Sequence, residues 1–150
     1  MNETIETATS LAASAASVTG QRTADHTDTL KWTAGPPGFP PGAHVAVLTG
    51  DLKGDGPFVV RFKAPAGYKI PAHTHPDDEH VTVLSGAFHI VIGDDLQETK
   101  GQVFKAGGYS HVPAGTPHLV WFSEESVTQV HGMGPPGITY LNPADDPRRK

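Results

Sequence analysis

From residue 29 onward the chain runs as short apolar stretches separated by clusters of Gly, Pro and Asp, the pattern of β-strands and turns. In residues 58–64 the side chains of Phe58, Val60 and Phe62 occupy alternate positions, with Arg61 and Lys63 on the other parity. Alternate side chains of an extended strand point to opposite faces, so one face is built for a core. The same reading predicts strands over 30–32, 44–49, 69–73, 79–84, 88–92, 97–104, 110–112, 119–122, 127–131 and 138–141. The Pro/Gly-rich segment 35–42 between the first two excludes regular structure, and turns are expected at Ser85-Gly86 and over 93–95. Fourteen prolines and seventeen glycines leave little room for long helices. The expected fold is all-β, a closed barrel or jelly-roll sandwich rather than a βαβ arrangement.

Residues 1–25 show neither helical nor strand periodicity and are expected to be a flexible N-terminal tail. The domain is expected over 26–143, followed by a polar, mobile tail over 144–150. No run of 18 apolar residues is available to span a membrane, and the N-terminus lacks the basic and apolar regions of a signal peptide. A cytoplasmic location without a membrane partner follows as the expectation. A net charge of -5, with no basic cluster larger than Arg148-Arg149-Lys150, argues against a nucleic-acid partner. Since cysteine is absent, disulfides and thiolate ligands are excluded, and any metal must be held by nitrogen and oxygen. Histidine supplies that chemistry, with nine residues in 150.

The richest concentration of donors lies in segment 67–86. His73 and His75 are two apart, so in an extended segment both imidazoles take the same face, and a turn at Pro76-Asp77-Asp78 can swing the carboxylate of Glu79 beside them. Written with spacings, the segment is Gly67-x5-His73-x-His75-x3-Glu79-x6-Gly86, followed further along by Gly107-x5-Pro113-x-Gly115-x2-His118-x3-Phe122. Over residues 40–132 the sequence resembles the cupin superfamily, whose first motif is G-x5-H-x-H-x3,4-E-x6-G and whose second is G-x5-P-x-G-x2-H-x3-N. Every position of the first matches, and the second departs only at Phe122, where the pattern has Asn.

The resemblance implies a jelly-roll β-barrel of two antiparallel sheets with one metal ion inside each subunit, its ligands falling on His73, His75, Glu79 and His118. Three imidazoles and a carboxylate suit a divalent transition metal (Fe, Mn, Ni, Zn, Co or Cu) and leave coordination positions open to dioxygen or a bidentate substrate. The resemblance also implies a homodimer. By alternation His118, Val120 and Phe122 share a face, so Phe122 is expected to add an apolar wall near the metal, suiting an organic substrate. Phe58, Val60 and Phe62 are expected to line the same pocket, with Gln129 and His131 at the barrel mouth. Tyr109 and His111 are candidates for proton transfer beside the metal. His80 is expected on the opposite face from Glu79, Asp77-Asp78 in a solvated turn, and His26, His44 and His89 in structural or exposed places. Leu119 and Trp121 should point outward, covered by a partner subunit or by the chain's own flanking segments. The expected function is a mononuclear metal-dependent enzyme acting on a small organic molecule, of dioxygenase type. Two alternatives stand beside it, a metal-dependent isomerase or lyase and a non-catalytic metal- or ligand-binding or sensing module.

Overall fold

The structure, a computed structural model, describes residues 29–150, so the tail expected over 1–25 lies outside the described residues. Among the described residues there are eleven strands: β1 (Thr33–Ala34), β2 (His44–Thr49), β3 (Pro57–Ala64), β4 (Lys69–Thr74), β5 (Glu79–Ser85), β6 (Phe88–Ile92), β7 (Gln102–Phe104), β8 (Tyr109–Val112), β9 (His118–Phe122), β10 (Ser126–Met133) and β11 (Thr139–Tyr140). They form two antiparallel sheets, one in the order β1-β2-β3-β10-β5-β8 and the other β11-β4-β9-β6-β7. Among the described residues the only helical segments are short 3-10 turns. The all-β jelly roll expected from the alternation is therefore the fold observed.

Three expected segments differ. The first strand is Thr33–Ala34 rather than 30–32, because it is these residues that find a partner, on Val45 and His44 of β2. Residues 97–104 do not form one strand. A 3-10 turn at Glu98–Lys100 interrupts them, held by ion pairs of Lys69 with Glu98 and Lys100 with Asp95, and only β7 remains extended. The segment 144–150 packs as two further 3-10 turns, each with proline in its first turn. Asn142 and Asp146 cap them, and Arg148 donates to the carbonyl of Ile138 at 2.9 Å.

The core lies between the sheets. Phe58, Val60 and Phe62 of β3 are all buried, as their alternation with Arg61 and Lys63 requires. Phe62 sits at the centre of an aromatic cluster, with ring centroids 5.9 Å from Phe39, 5.8 Å from Tyr68 and 6.2 Å from Phe122. The hydroxyl of Tyr68, from this cluster, and that of the buried Tyr140 donate to the carbonyls of Pro40 (2.6 Å) and Gly38 (2.7 Å). The irregular 35–42 segment is thereby fastened to the barrel. Outside, Trp121 is covered by the chain itself. Its indole stacks on His89 at 5.0 Å, and a Cβ on Gly101 would lie 2.4 Å from it.

The glycines that bracket the first motif both adopt positive φ, +85° at Gly67 and +83° at Gly86, but their surroundings differ. A Cβ at Gly67 would meet nothing within 4 Å, whereas one at Gly86 would stand 2.1 Å from Ser126 Oγ and 2.5 Å from the Glu125 carbonyl. Gly67→Ala should therefore cost only the left-handed backbone penalty, ~1–2 kcal/mol. Gly86→Ala adds a clash with buried backbone and should cost roughly 3 kcal/mol or more. Urea unfolding of the two variants checks this, and equal losses would contradict it.

Candidate metal centre

Strand β4 carries the first two candidate ligands and bends to do so. Ile70 pairs with Val120 and His73 with His118, so three steps along β4 face two along β9. The extra residue makes a β-bulge around Pro71-Ala72, a place where a proline, lacking an N–H for the ladder, is tolerated. In a regular strand Ile70 and His73, three apart, would face opposite ways. The bulge turns both inward, leaving Ile70 at 6% and His73 at 1% exposure. His75 follows two positions later on the same side. Residues 76–78 then turn the chain, and Glu79 opens β5 in the other sheet. His118 opens β9, directly across from His73 and completely buried.

The four side chains converge. Ring centroids lie 4.1 Å apart for His73 and His118, 4.8 Å for His73 and His75, and 5.1 Å for His75 and His118. Glu79 places one carboxylate oxygen 3.1 Å from His75 Nε2 and the other 3.7 Å from His118 Nε2. The Nδ1 atoms are turned away, each against a backbone carbonyl: Pro71 for His73 (2.6 Å), Gly137 for His75 (2.6 Å) and Thr116 for His118 (3.0 Å). A carbonyl only accepts, so each Nδ1 carries the proton; the neutral rings of His73 and His118 direct an Nε2 lone pair inward, while His75 Nε2 faces the Glu79 carboxylate. Carbonyls in this role fix ligand orientation in metal sites.

His118 Nε2 is buried with no hydrogen-bond partner, a situation that costs ~1–3 kcal/mol unless something binds there. The donors on His73, His75 and His118 all lie within 4.8 Å of one another, and this triad could hold a metal ion. Titration behaviour agrees. Burial, reinforced by His118 and His75, pushes His73 down to about 3, and burial likewise lowers His118. Burial alone would lower His75 and raise Glu79, but their mutual contact prevails, raising His75 and holding Glu79 down to about 2. Near neutral pH the carboxylate is charged and His73 and His118 are neutral, the forms in which these groups ligate.

Above these donors lies a cavity of about 110 Å³, roughly ten times what one water needs by the same measure. Phe58, Val60, Phe62, Val120 and Phe122 line it, as the sequence suggested, together with Ile70, Phe88 and Val130. Phe122, at the position where the motif pattern has Asn, is 2% exposed and forms part of the apolar wall. Loop 76–78, the end of β10 at Met133 and the loop after it form the rim, with Asp77, Asp78 and Met133 among its side chains.

Four expected site residues are not brought to this cavity. Gln129 and His131 lie on the outer face of β10, where Gln129 accepts from Arg61 at 3.2 Å and His131 stacks on His80. Register explains this. Thr128 pairs with Phe62 and Val130 with Val60, so the parity sharing the inward face is 128 and 130. Tyr109 and His111 also face outward, because on β8 Ser110 and Val112 take the buried positions. The apolar Val112 was the available sign of that parity. Thr128 and Val130, missed in the sequence, needed the partner strand to assign them.

The chain matches the model of the ChrR cupin-like domain family over residues 20–136, and it belongs to that family. A search of curated proteins finds no match. Among solved structures the barrel resembles the polyketide cyclase RemF from Streptomyces resistomycificus, with TM-score 0.69 and 18% identity over 86% of this chain and 92% of that one. It also resembles an acetylacetone dioxygenase from Acinetobacter johnsonii, with TM-score 0.64 and 18% identity over 86% and 83% of the two chains. A third likeness is the DMSP lyase DddQ from Ruegeria pomeroyi, with TM-score 0.61 and 19% identity over 77% and 63%. At these identities the likeness is one of fold.

The depressed values make a prediction about acid stability in the metal-free protein. Below the ordinary histidine value of 6.5, unfolded chains take up protons that folded His73 and His118 refuse. Their contribution is full above about pH 6.5 and is lost as the pH falls, for His73 down to about pH 3, and Glu79 adds a further loss below 4.5. His75, being raised, acts oppositely, its contribution fading as the pH rises above 6.5. Between pH 6.5 and 4.5 stability should fall by at least one proton's worth, ~1.4 kcal/mol per pH unit, in urea unfolding. A flat profile there would contradict the assignment.

Proposed function

We propose that this chain is a mononuclear metal-dependent enzyme of dioxygenase type, acting on a small apolar organic substrate inside the barrel. The observation carrying this reading is the contrast within one cavity: the imidazoles of His73 and His75 and the carboxylate of Glu79 in its lining, with His118 packed against both rings, and apolar side chains around them. His73, His75, His118 and Glu79 would hold one divalent transition ion. Such an ion supplies Lewis acidity, and redox chemistry if it is iron or manganese, with positions left for two further ligands.

The chain's own residues provide the setting. Phe58, Phe62, Phe122 and Val120 exclude water and give an apolar substrate a surface to bind. The backbone carbonyls of Pro71, Gly137 and Thr116 keep the imidazoles aimed while a substrate enters. Among the described lining residues, the groups able to move a proton are the candidate ligands themselves, Thr128 and the rim aspartates Asp77 and Asp78. Isomerase and lyase chemistry calls for an acid or base beside the reacting carbon. Oxygen chemistry at a metal makes no such demand, which favours the oxygenase reading. The dioxygenase among the structural neighbours gives acetylacetone as the first substrate to try.

Anaerobic loading with Fe(II), followed by nitric oxide, should produce the electron paramagnetic resonance signal of an iron nitrosyl. Acetylacetone or another small 1,3-dicarbonyl should then drive oxygen uptake. Conversion without oxygen uptake would instead assign an isomerase or lyase, and ligand binding without conversion a sensing module. His118→Ala should weaken metal binding on the order of 100-fold or more, beyond the effect of losing an outer hydrogen bond. Phe122→Asn should retain the metal while raising KM for apolar substrates.

A further inference from the structure

Strand β5 alternates, so the residue after Glu79 faces out of the barrel, and there His80 meets a second set of donors. Its register partners are His111 on β8 and His131 on β10. The His80 ring stacks on His111 at 4.6 Å with planes 2° apart, and on His131 at 4.6 Å and 3°. Asp78 joins from the preceding loop. One of its oxygens accepts from the backbone N–H of Ala114 at 2.8 Å, and the other lies 2.9 Å from His111 Nε2. The Tyr109 hydroxyl lies 2.6 Å from His80 Nδ1, which leaves the other ring nitrogen of His80 unengaged by that contact. Donor atoms of Asp78, His80 and His111 all lie within 4.8 Å of one another.

We propose that Asp78, His80 and His111 form a second metal site, on the outer face of the six-stranded sheet, that takes a divalent ion of the zinc class. Two imidazoles and one carboxylate are the donor set of open, four-coordinate zinc sites, with water as the fourth ligand. They suit borderline ions rather than calcium or magnesium, which require mostly oxygen. Ligand atoms about 2.0–2.1 Å from a tetrahedral zinc stand roughly 3.3 Å apart; Asp78 and His111, at 2.9 Å, are already that close, and the remaining separations must close by at most about 1.5 Å. Asp78 and His111 have that freedom, their side chains being 51% and 42% exposed. The carboxylate is also positioned in advance by Ala114, which lowers the ordering cost of closing on an ion.

Location gives the site a consequence. Asp78 belongs to the cavity rim, and the neighbouring residue, Glu79, is a candidate ligand of the inner centre. An ion held by Asp78, His80 and His111 ties loop 76–78 to β5 and β8. The outer metal would thus brace one side of the entrance without touching the cavity floor.

Equilibrium dialysis against Zn(II) with elemental analysis tests this on the full chain. His111→Ala and Asp78→Asn remove exposed donors outside the inner centre, and melting curves verify that both variants fold. At least one of them should bind one zinc equivalent fewer than the unsubstituted protein, or bind it on the order of 10-fold more weakly. Zinc should also shift the imidazole resonances of His80 and His111 in the unsubstituted protein. If both folded variants match the unsubstituted protein in stoichiometry and affinity, the proposal is overturned. Because the readout is the difference between proteins, it stands whether or not the inner centre takes metal.

Discussion

His73 and His118 face each other across β4 and β9, both essentially without solvent contact, and much of the architecture answers to that pair. Two imidazoles and a nearby carboxylate buried in an apolar barrel carry a desolvation cost that local contacts repay only in part. Each ring recovers one hydrogen bond by giving its Nδ1 proton to a backbone carbonyl, but the Nε2 of His118 remains unpartnered. That combination, oriented donors held in a place where they are costly, is the physical signature of a binding site. The bulge at Pro71-Ala72 shows how it is met at the level of the backbone. One inserted residue reverses parity in the middle of a strand so that Ile70 can serve the core and His73 the site.

The second sheet supplies the charge and the enclosure. Glu79 begins β5 and leans across the barrel, its carboxylate held anionic against burial by contact with His75. Next to β5 in the sheet, β10 pairs in regular register with β3, so the inward parity of Phe58, Val60 and Phe62 is copied onto Thr128 and Val130. The outward parity collects the polar pairs, Arg61 with Gln129 and His80 with His131 and His111. Alternation along β5 thus presents one donor set to the interior and another to solvent on successive residues.

Within this family and fold, the barrel alone does not choose a reaction, since the structural neighbours include a cyclase, a dioxygenase and a lyase. What distinguishes this chain is the lining: a Phe in place of Asn at position 122, an aromatic cluster around Phe62, and few proton-transfer groups away from the candidate ligands. Those features act on whatever enters, through exclusion of water and apolar contact, while the donors at the floor decide what ion can be held.

Most of the strands, and His73, His75 and Glu79 of the four converging residues, were legible in the sequence because both depend on local spacing, while His118 was found through the second motif of the cupin resemblance. Alternation assigns faces within a strand, and glycine and proline mark where strands stop. The motif residues His73, His75 and Glu79 fall within seven positions of one another, so a single turn brings them together. Val112 marked the outward parity of Tyr109 and His111, whereas the 3-10 turn at Glu98–Lys100, the inward parity of Thr128 and Val130, and the outward turn of Gln129 and His131 were not legible. Each depends on contacts between residues far apart in the chain, an ion pair from Lys69 to Glu98 or the register of β10 against β3. A strand with polar residues on both parities carries no internal record of which face is buried. Its partner decides, and so the tertiary structure brought His111 and His131 beside His80, which alternation had already set apart from Glu79.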